Sequence, residues 1–245
     1  MGPANWRANL WPKGLGEVNQ IIAIGQKLIY ALLIFVPWKI RRLGLNKLLG
    51  YQISPSAKIG FSWVMPNELL MAGDTKIGAL TVCKGISKLE MRESSSIGRL
   101  NWITGQPLDD KRHFHHEIGR NPSLVLGRHA AITNRHILDC TSRITIGAFS
   151  TLAGFRSQIL THSIDVNKSR QRSSEVAIGE YCFLGTGCIL LAGSSLPSFC
   201  VLGAGSVMTK AFTEQYTLYA GVPAVPVKAL AQTAKYFNRE EGYVV

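Results

Sequence analysis

From Ile178 to Met208 the chain reads IGEYCFLGTGCILLAGSSLPSFCVLGAGSVM, and a large apolar side chain returns at every sixth position: Ile178, Leu184, Leu190, Leu196, Leu202 and Met208. A helix repeats near 3.6 residues and a strand near 2, so this period belongs to neither alone. Two residues before each later member stands a small side chain, Cys182, Cys188, Ser194, Cys200 or Ser206. Residues two apart on a strand face the same way, so each pair sends one large and one small group inward. A short strand and a turn, repeated every six residues, describe a coil that stacks on itself around a narrow core. Gly179, Gly185 and Gly203 directly follow the aliphatic position, where a turning backbone favours glycine. The fold class read here is all-β, a hexapeptide-repeat parallel solenoid.

The same spacing extends toward the N-terminus. Ile53, Ile59, Met65, Met71, Ile77, Cys83 and Leu89 fall at sixes, and the register slips by two before Ile97 and Ile103. A polar segment at about 104–123 interrupts the pattern, which Leu126, Ile132, Leu138 and Ile144 resume. Ile146 and Leu152 continue it after another slip of two. A second polar segment, 162–175, precedes the restart at Ile178. Both read as loops leaving the coil. The expected organisation is an N-terminal helical segment over 1–50, a solenoid over 51–226 with these two excursions, and a C-terminal helical tail over 227–245, its helix running from Val227 to about Phe237.

The chain of 245 residues carries a formal charge of +12. Residues 1–50 hold Arg7, Lys13, Lys27, Lys39, Arg41, Arg42 and Lys47 against Glu17 alone, a net +6. No zinc-finger or glycine-rich phosphate-loop pattern accompanies these charges, so nucleic acid is not the expected partner. Ile21 to Val36 is almost wholly apolar, and Pro37, Trp38 and the basic Lys39, Arg41 and Arg42 follow it. It falls short of the roughly 20 apolar residues that span a bilayer. A short apolar helix with an aromatic and cationic flank suits a membrane surface contact through residues 20–42, on the cytoplasmic side. A helix capping the solenoid or packing between subunits is the other reading. Five cysteines, three of them on the inward track, point to small core fillers in a reducing compartment and to no disulfide framework.

Two places could carry chemistry. The first excursion holds His113, His115, His116, Asp109, Asp110 and Glu117, a set that could bind metal or move protons, or simply be solvated. The second begins Gln158-Ile159-Leu160-Thr161-His162-Ser163-Ile164-Asp165, so His162 stands where a loop leaves a rigid coil. An imidazole with a pKa near 6.5 suits taking a proton from an alcohol and returning it to a leaving group, and Asp165 or another carboxylate could orient it. Taken alone, a hydrogen-bonded structural histidine is the better explanation of the position.

Beyond period, the chain resembles the left-handed parallel β-helix acyltransferases of the hexapeptide-repeat superfamily, most closely their sugar and exopolysaccharide O-acetyltransferase branch. The resemblance spans roughly residues 124–230. It rests on Ile144-Thr145-Ile146-Gly147, His162 ahead of a loop, Val176 to Gly185, Val201 to Lys210, and Ala220-Gly221-Val222-Pro223-Ala224. It implies a homotrimer with sites between neighbours, acetyl-CoA as donor and no metal. The acceptor it implies is a free or lipid-linked sugar of a bacterial surface polysaccharide. It implies His162 as the base, the backbone amide near Thr186 facing the thioester oxygen, and Ala204, Thr209 and Lys210 along the CoA arm. Lys228 would lie near the phosphates, with Asn134 and Asp139 at the acceptor. Val225 stands where a second basic residue is usual. A γ-carbonic-anhydrase-like metal site from His129, His136 and His162, or a non-catalytic scaffold, are the competing readings.

Overall fold

The computed structural model describes residues 14–110 and 112–244. Arg7 and Lys13 of the basic N-terminal count lie outside the described residues. The chain divides into two units, one ending at Gly50 and one starting at Tyr51.

The first unit holds helices α1 (Gly14–Leu33) and α2 (Trp38–Leu49). Pro37 is extended at the start of α2, and Gly50 ends it in the left-handed region at φ 70, its N–H bonded to the Leu45 carbonyl. The side chains of α1 are described from Ile24 onward. Ile24, Leu28 and Leu32 recur at four-residue spacing and are 57, 61 and 72 % exposed, an apolar stripe along one helix face. Arg41 departs from the expected basic flank. It is buried, its guanidinium donating to the Tyr30 hydroxyl at 2.9 Å and lying over the Tyr30 and Trp38 rings. Among the described residues no helix is long and apolar enough to cross a membrane.

The second unit is a three-sided parallel β-helix. Among the described residues, its faces are sheets of seven, nine and seven strands, each receiving one parallel strand per coil, with an antiparallel strand of the tail ending the second sheet. One coil runs Ile144–Ile146, Thr151–Leu152 and Gln158–Leu160, and each strand pairs in parallel with its counterpart one coil on, Val176–Ile178, Phe183–Leu184 and Ile189–Leu191. Inward columns such as Ile132, Leu152, Leu184 and Leu202 are at most 1 % exposed, each side chain contributing about 1.5–3 kcal/mol by leaving water. Cys182, Cys188 and Cys200 fill the small inward positions, their thiols 3.1–3.4 Å from the carbonyls of Pro197, Gly203 and Glu214. Gly185 is obligatory at its turn: a Cβ there would come within 2.7 Å of the Ala204 backbone nitrogen in the next coil.

The slips of two have a structural cause. Strands of the first sheet carry two inward residues, Leu89 with Met91 and Ile144 with Ile146, so those coils are two residues longer there. Met65 is a misreading by one position. Val64 is the fully buried residue of Trp63–Met65, because the corner before it is one residue short. The tail also differs from expectation. Ala224–Ala229 is a strand pairing antiparallel with Thr217–Gly221, and the only helix among the described residues beyond it is a single 3-10 turn, Lys235–Asn238.

The corner between the first and second sheets bears a column of rings. His129, Phe149, Tyr181, Phe199 and Tyr216 each occupy the left-handed region, with φ from 51 to 61. Successive centroids are 4.8, 4.6, 5.5 and 4.8 Å apart with interplanar angles of 24° or less. That backbone region disfavours bulky side chains. Stacking at about 0.5–1.5 kcal/mol per pair offsets the cost. Arg239 closes the column from outside, over the Phe149, Tyr181 and Tyr236 rings.

Candidate active site

Both excursions leave the corner between the third and first sheets, and they do so on either side of one coil. The first, 105–122, follows Trp102–Thr104; the second follows Gln158–Leu160. Between them the chain turns tightly from Ile137–Asp139 into Ile144–Ile146. The second excursion is an antiparallel hairpin, His162–Asp165 against Arg170–Ser173.

Strand register brings His162 to its carboxylate. Ile137–Asp139 and Gln158–Leu160 are neighbours with Asp139 opposite Leu160, so the residue two beyond Leu160 arrives beside the end of the lower strand. The Asp139 Oδ2 lies 2.5 Å from His162 Nδ1 and accepts the backbone N–H groups of Thr161 and His162 at 3.1 Å. Its Oδ1 accepts the Thr141 hydroxyl at 2.6 Å and the Thr141 N–H at 3.2 Å. The Asp139 side chain is 11 % exposed and the His162 side chain 40 %. A carboxylate accepts only, so the ring proton sits on Nδ1 and Nε2 carries the lone pair.

The two groups shift each other in opposite directions. Burial opposes ionisation of Asp139, but the hydrogen bonds from His162 and Thr141 and the imidazolium's charge together outweigh it and lower its pKa. The hydrogen bond to Asp139 raises the His162 pKa, partly countered by burial and reinforced by the carboxylate's charge.

The first excursion walls this dyad. The Phe114 ring meets the His162 ring edge-on at 6.1 Å. Arg120 lies over Phe114 at 4.5 Å and donates to the carbonyls of Gln106, Pro107 and Thr141; burial lowers its pKa. Glu117 accepts the Ser173 N–H and hydroxyl at 2.7 and 2.5 Å, and His116 Nε2 meets the Gln171 carbonyl at 2.8 Å. Loop and hairpin therefore hold each other.

Several expected roles change. Asp165 is not the carboxylate on the His162 ring: its Oδ1 accepts the N–H groups of Asn167 and Lys168 and shapes the hairpin turn. Asp139, expected at the acceptor, has both oxygens committed internally. Asn134 accepts the Arg99 N–H at 2.7 Å and lies on the opposite corner, between the second and third sheets. Thr186 and Ala204 share that corner on later coils. The exposed Thr186 binds Phe155 through its hydroxyl, and its own N–H meets no acceptor among the described residues. Thr209 and Lys210 follow the last strand of the third sheet, and Lys228 sits in the terminal hairpin, all three exposed. Three-residue strands separate the His162 corner from the Thr186 corner, roughly 10 Å at the usual rise, so one chain does not unite His162 with Thr186 and Ala204, whereas Thr209 and Lys210 leave the third sheet at the His162 corner two coils on.

Histidines do not converge on a metal. His136 is fully buried between the Thr133 hydroxyl and the Ser157 N–H, its pKa pushed down by burial to about 4. His129 stacks in the ring column. His113 pairs with Asp110 at 2.9 Å. Among the described residues no group of three or more His, Cys, Asp or Glu side chains could hold a metal ion.

No protein-family model matches the chain, and no curated protein matches it. Solved structures do. The polysialic acid O-acetyltransferase OatWY is 18% identical, with a TM-score of 0.53 over 73% of this chain and 84% of that one. The polySia-specific acetyltransferase NeuO is 16% identical, TM-score 0.46, over 76% of this chain and 78% of that one. The hexapeptide-repeat acetyltransferase VCA0836 from Vibrio cholerae is 15% identical, TM-score 0.45, over 86% and 92%. The likeness to OatWY shows the fold: the second unit is a left-handed parallel β-helix of hexapeptide repeats.

Proposed function

We propose that this chain is an O-acetyltransferase that moves an acetyl group from acetyl-CoA to a sugar hydroxyl of a bacterial surface polysaccharide, with His162 as general base. One observation carries the reading: a half-exposed imidazole at a rigid corner is held through Nδ1 by a buried carboxylate, and its Nε2 meets no hydrogen-bond partner among the described residues. The fold shared with a polysialic acid O-acetyltransferase supports it.

In this mechanism Nε2 takes the proton of the acceptor hydroxyl as its oxygen attacks the thioester carbonyl carbon. Asp139 stabilises the imidazolium that forms, and the proton then passes to the departing CoA sulfur. The exposed Thr186 N–H suits the developing oxyanion. Because Thr186 and Ala204 lie away from the His162 corner of their own chain, the site forms between copies, in a trimer of these three-sided prisms. Lys210 and Lys228, without ion-pair partners among the described residues, are available to donor phosphates. In the first unit, the exposed Ile24, Leu28 and Leu32 stripe of α1 together with the exposed Lys39 and Lys47 of α2 supports a membrane surface contact. Such a contact would bring a lipid-linked acceptor to the enzyme on the cytoplasmic face.

The test is CoA release from acetyl-CoA with free and lipid-linked oligosaccharides, wild type against His162→Ala. Acceptor-dependent release that the substitution abolishes in a folded protein supports the reading. Release that persists in the variant would remove His162 as the base, and no turnover or CoA binding with any acceptor would favour a scaffold.

A further inference from the structure

Beside the dyad, the first excursion and the hairpin enclose an open cleft of about 320 Å³, at the small end of the usual range for small-ligand sites. Its walls carry Arg112, His113, His115 and His116 from the loop and Ile164 and Arg170 from the hairpin. Neither guanidinium has a carboxylate partner among the described residues, and both side chains are exposed. Of the nearby acids, Asp110 is paired with His113, Glu117 is bound to Ser173, and Asp165 caps the hairpin turn. Asp109 is exposed in the same loop and Asp165 stands opposite Arg170 across the hairpin, but neither forms an ion pair among the described residues, so the cleft presents two arginines outside any salt bridge and three imidazoles.

Hairpin geometry ties the cleft to the base. His162 and Ile164 are two residues apart on one strand, so their side chains share a face, opposite Ser173 and Gln171. That face is turned to the loop, as the Phe114, Glu117 and His116 contacts show. Ile164 lines the cleft, so the cleft begins about 7 Å along the strand from His162, within the reach of one sugar residue and its substituents.

Resting on the transferase reading, we infer that the acceptor is an acidic saccharide whose carboxylate is held in this cleft by Arg112 and Arg170 while a hydroxyl meets His162 Nε2. A planar carboxylate matches the guanidinium fork, and Ile164 offers an apolar surface to a sugar ring.

The test compares acetyl transfer to oligosaccharides of glucuronic, galacturonic and sialic acid with transfer to their carboxyl-reduced counterparts, for wild type and the R112Q/R170Q double variant. Both arginines are exposed and outside any ion pair among the described residues, so the variant is expected to keep its melting temperature. The expected result is a KM at least tenfold lower for an acidic acceptor than for its neutral twin. In the double variant that KM rises at least tenfold, with kcat, the KM of the neutral twin and CoA binding unchanged. Equal use of the neutral twins, an unmoved KM, or loss of CoA binding instead would overturn the assignment, the last reassigning the cations to the donor's phosphates. If no acceptor is turned over, the transferase reading fails separately. Direct binding of the same acidic oligosaccharides by NMR then decides the cleft: loss in the double variant upholds it, and no binding to wild type refutes it.

Discussion

Asp139→Asn changes one atom and removes a charge, and the structure makes its consequences calculable. Asp139 accepts four protein N–H or O–H donors besides the His162 ring, two on each oxygen. An amide has one oxygen. If that oxygen faces Thr141, the new NH₂ opposes the Thr161 and His162 N–H groups and the imidazole. Two donors, one buried and one part-buried, lose their acceptor at about 1–3 kcal/mol each, so stability falls by about 2–6 kcal/mol, roughly 5–15 °C in Tm for a unit of this size. The catalytic loss has two parts. Forfeiting a charge-assisted bond to the imidazolium costs about 1.5–3 kcal/mol, or roughly 10–150-fold. The NH₂ also drives the ring proton from Nδ1 to Nε2 and removes the base's lone pair, an inversion that costs about 10⁴-fold in a Ser-His-Asp triad. The expected fall in kcat/KM is therefore about 10² to 10⁴-fold.

The assay is CoA release as a function of pH, referred to the folded fraction at each pH. The active form is the neutral ring, so wild-type activity rises with pH through the His162 pKa, which the Asp139 bond holds above its ordinary value. In Asp139→Asn that limb moves to lower pH. A variant that keeps more than about a tenth of wild-type kcat/KM with its pH limb unmoved would refute the role given to Asp139.

Other outcomes follow from the same geometry. If each site joins His162 of one copy to Thr186 of the next, then His162→Ala and Thr186→Pro, each inactive, regain about a quarter of wild-type activity when co-assembled, by random assortment of copies; no recovery in verified mixed trimers would place the site within one chain. All five cysteines are buried, and burial pushes the Cys83 and Cys182 thiols up to about 12, so Ellman's reagent should find none in the native protein and five in urea; fast native labelling would contradict that packing. Leu184→Ala should cost about 2–5 kcal/mol by urea unfolding, because both flanking coils hold its cavity open. For pH stability, the raised His162 pKa contributes stability that is full below its unfolded value near 6.5 and is lost as pH rises through the folded value. The lowered Asp139 pKa contributes stability present above 3.8 and lost as pH falls through its folded value. Thermal melts of wild type and Asp139→Asn should accordingly converge at strongly acid pH.

The solenoid was legible because each coil repeats the same inward columns, so Ile178 to Met208 reports the architecture many times over. Where a corner shortens, as before Val64, or a strand gains a second inward residue, as at Met91, period alone misplaces residues. Val227 and its neighbours carry an apolar pattern that suits helix or strand, and pairing with Thr217–Gly221 decides it. His162 was legible from its place at a loop's root. Its partner was not: Asp139 lies 23 residues back, one coil plus the two-residue step, and only strand register makes that distance a contact. Phe114 and Arg120 sit in an irregular loop, where no periodicity points anywhere.

The stacked rings from His129 to Tyr216 have a consequence for how such a molecule can change. A column spaced at the strand repeat works as a ruler: a residue inserted at that corner would break a stack and expose a left-handed aromatic without its neighbour. The corner with Gly185 against Ala204 has no room either. Growth is left to the third corner, and there the chain has lengthened twice, once on each side of Asp139. The prism can thus exchange the walls around its base while every coil beneath keeps its pitch.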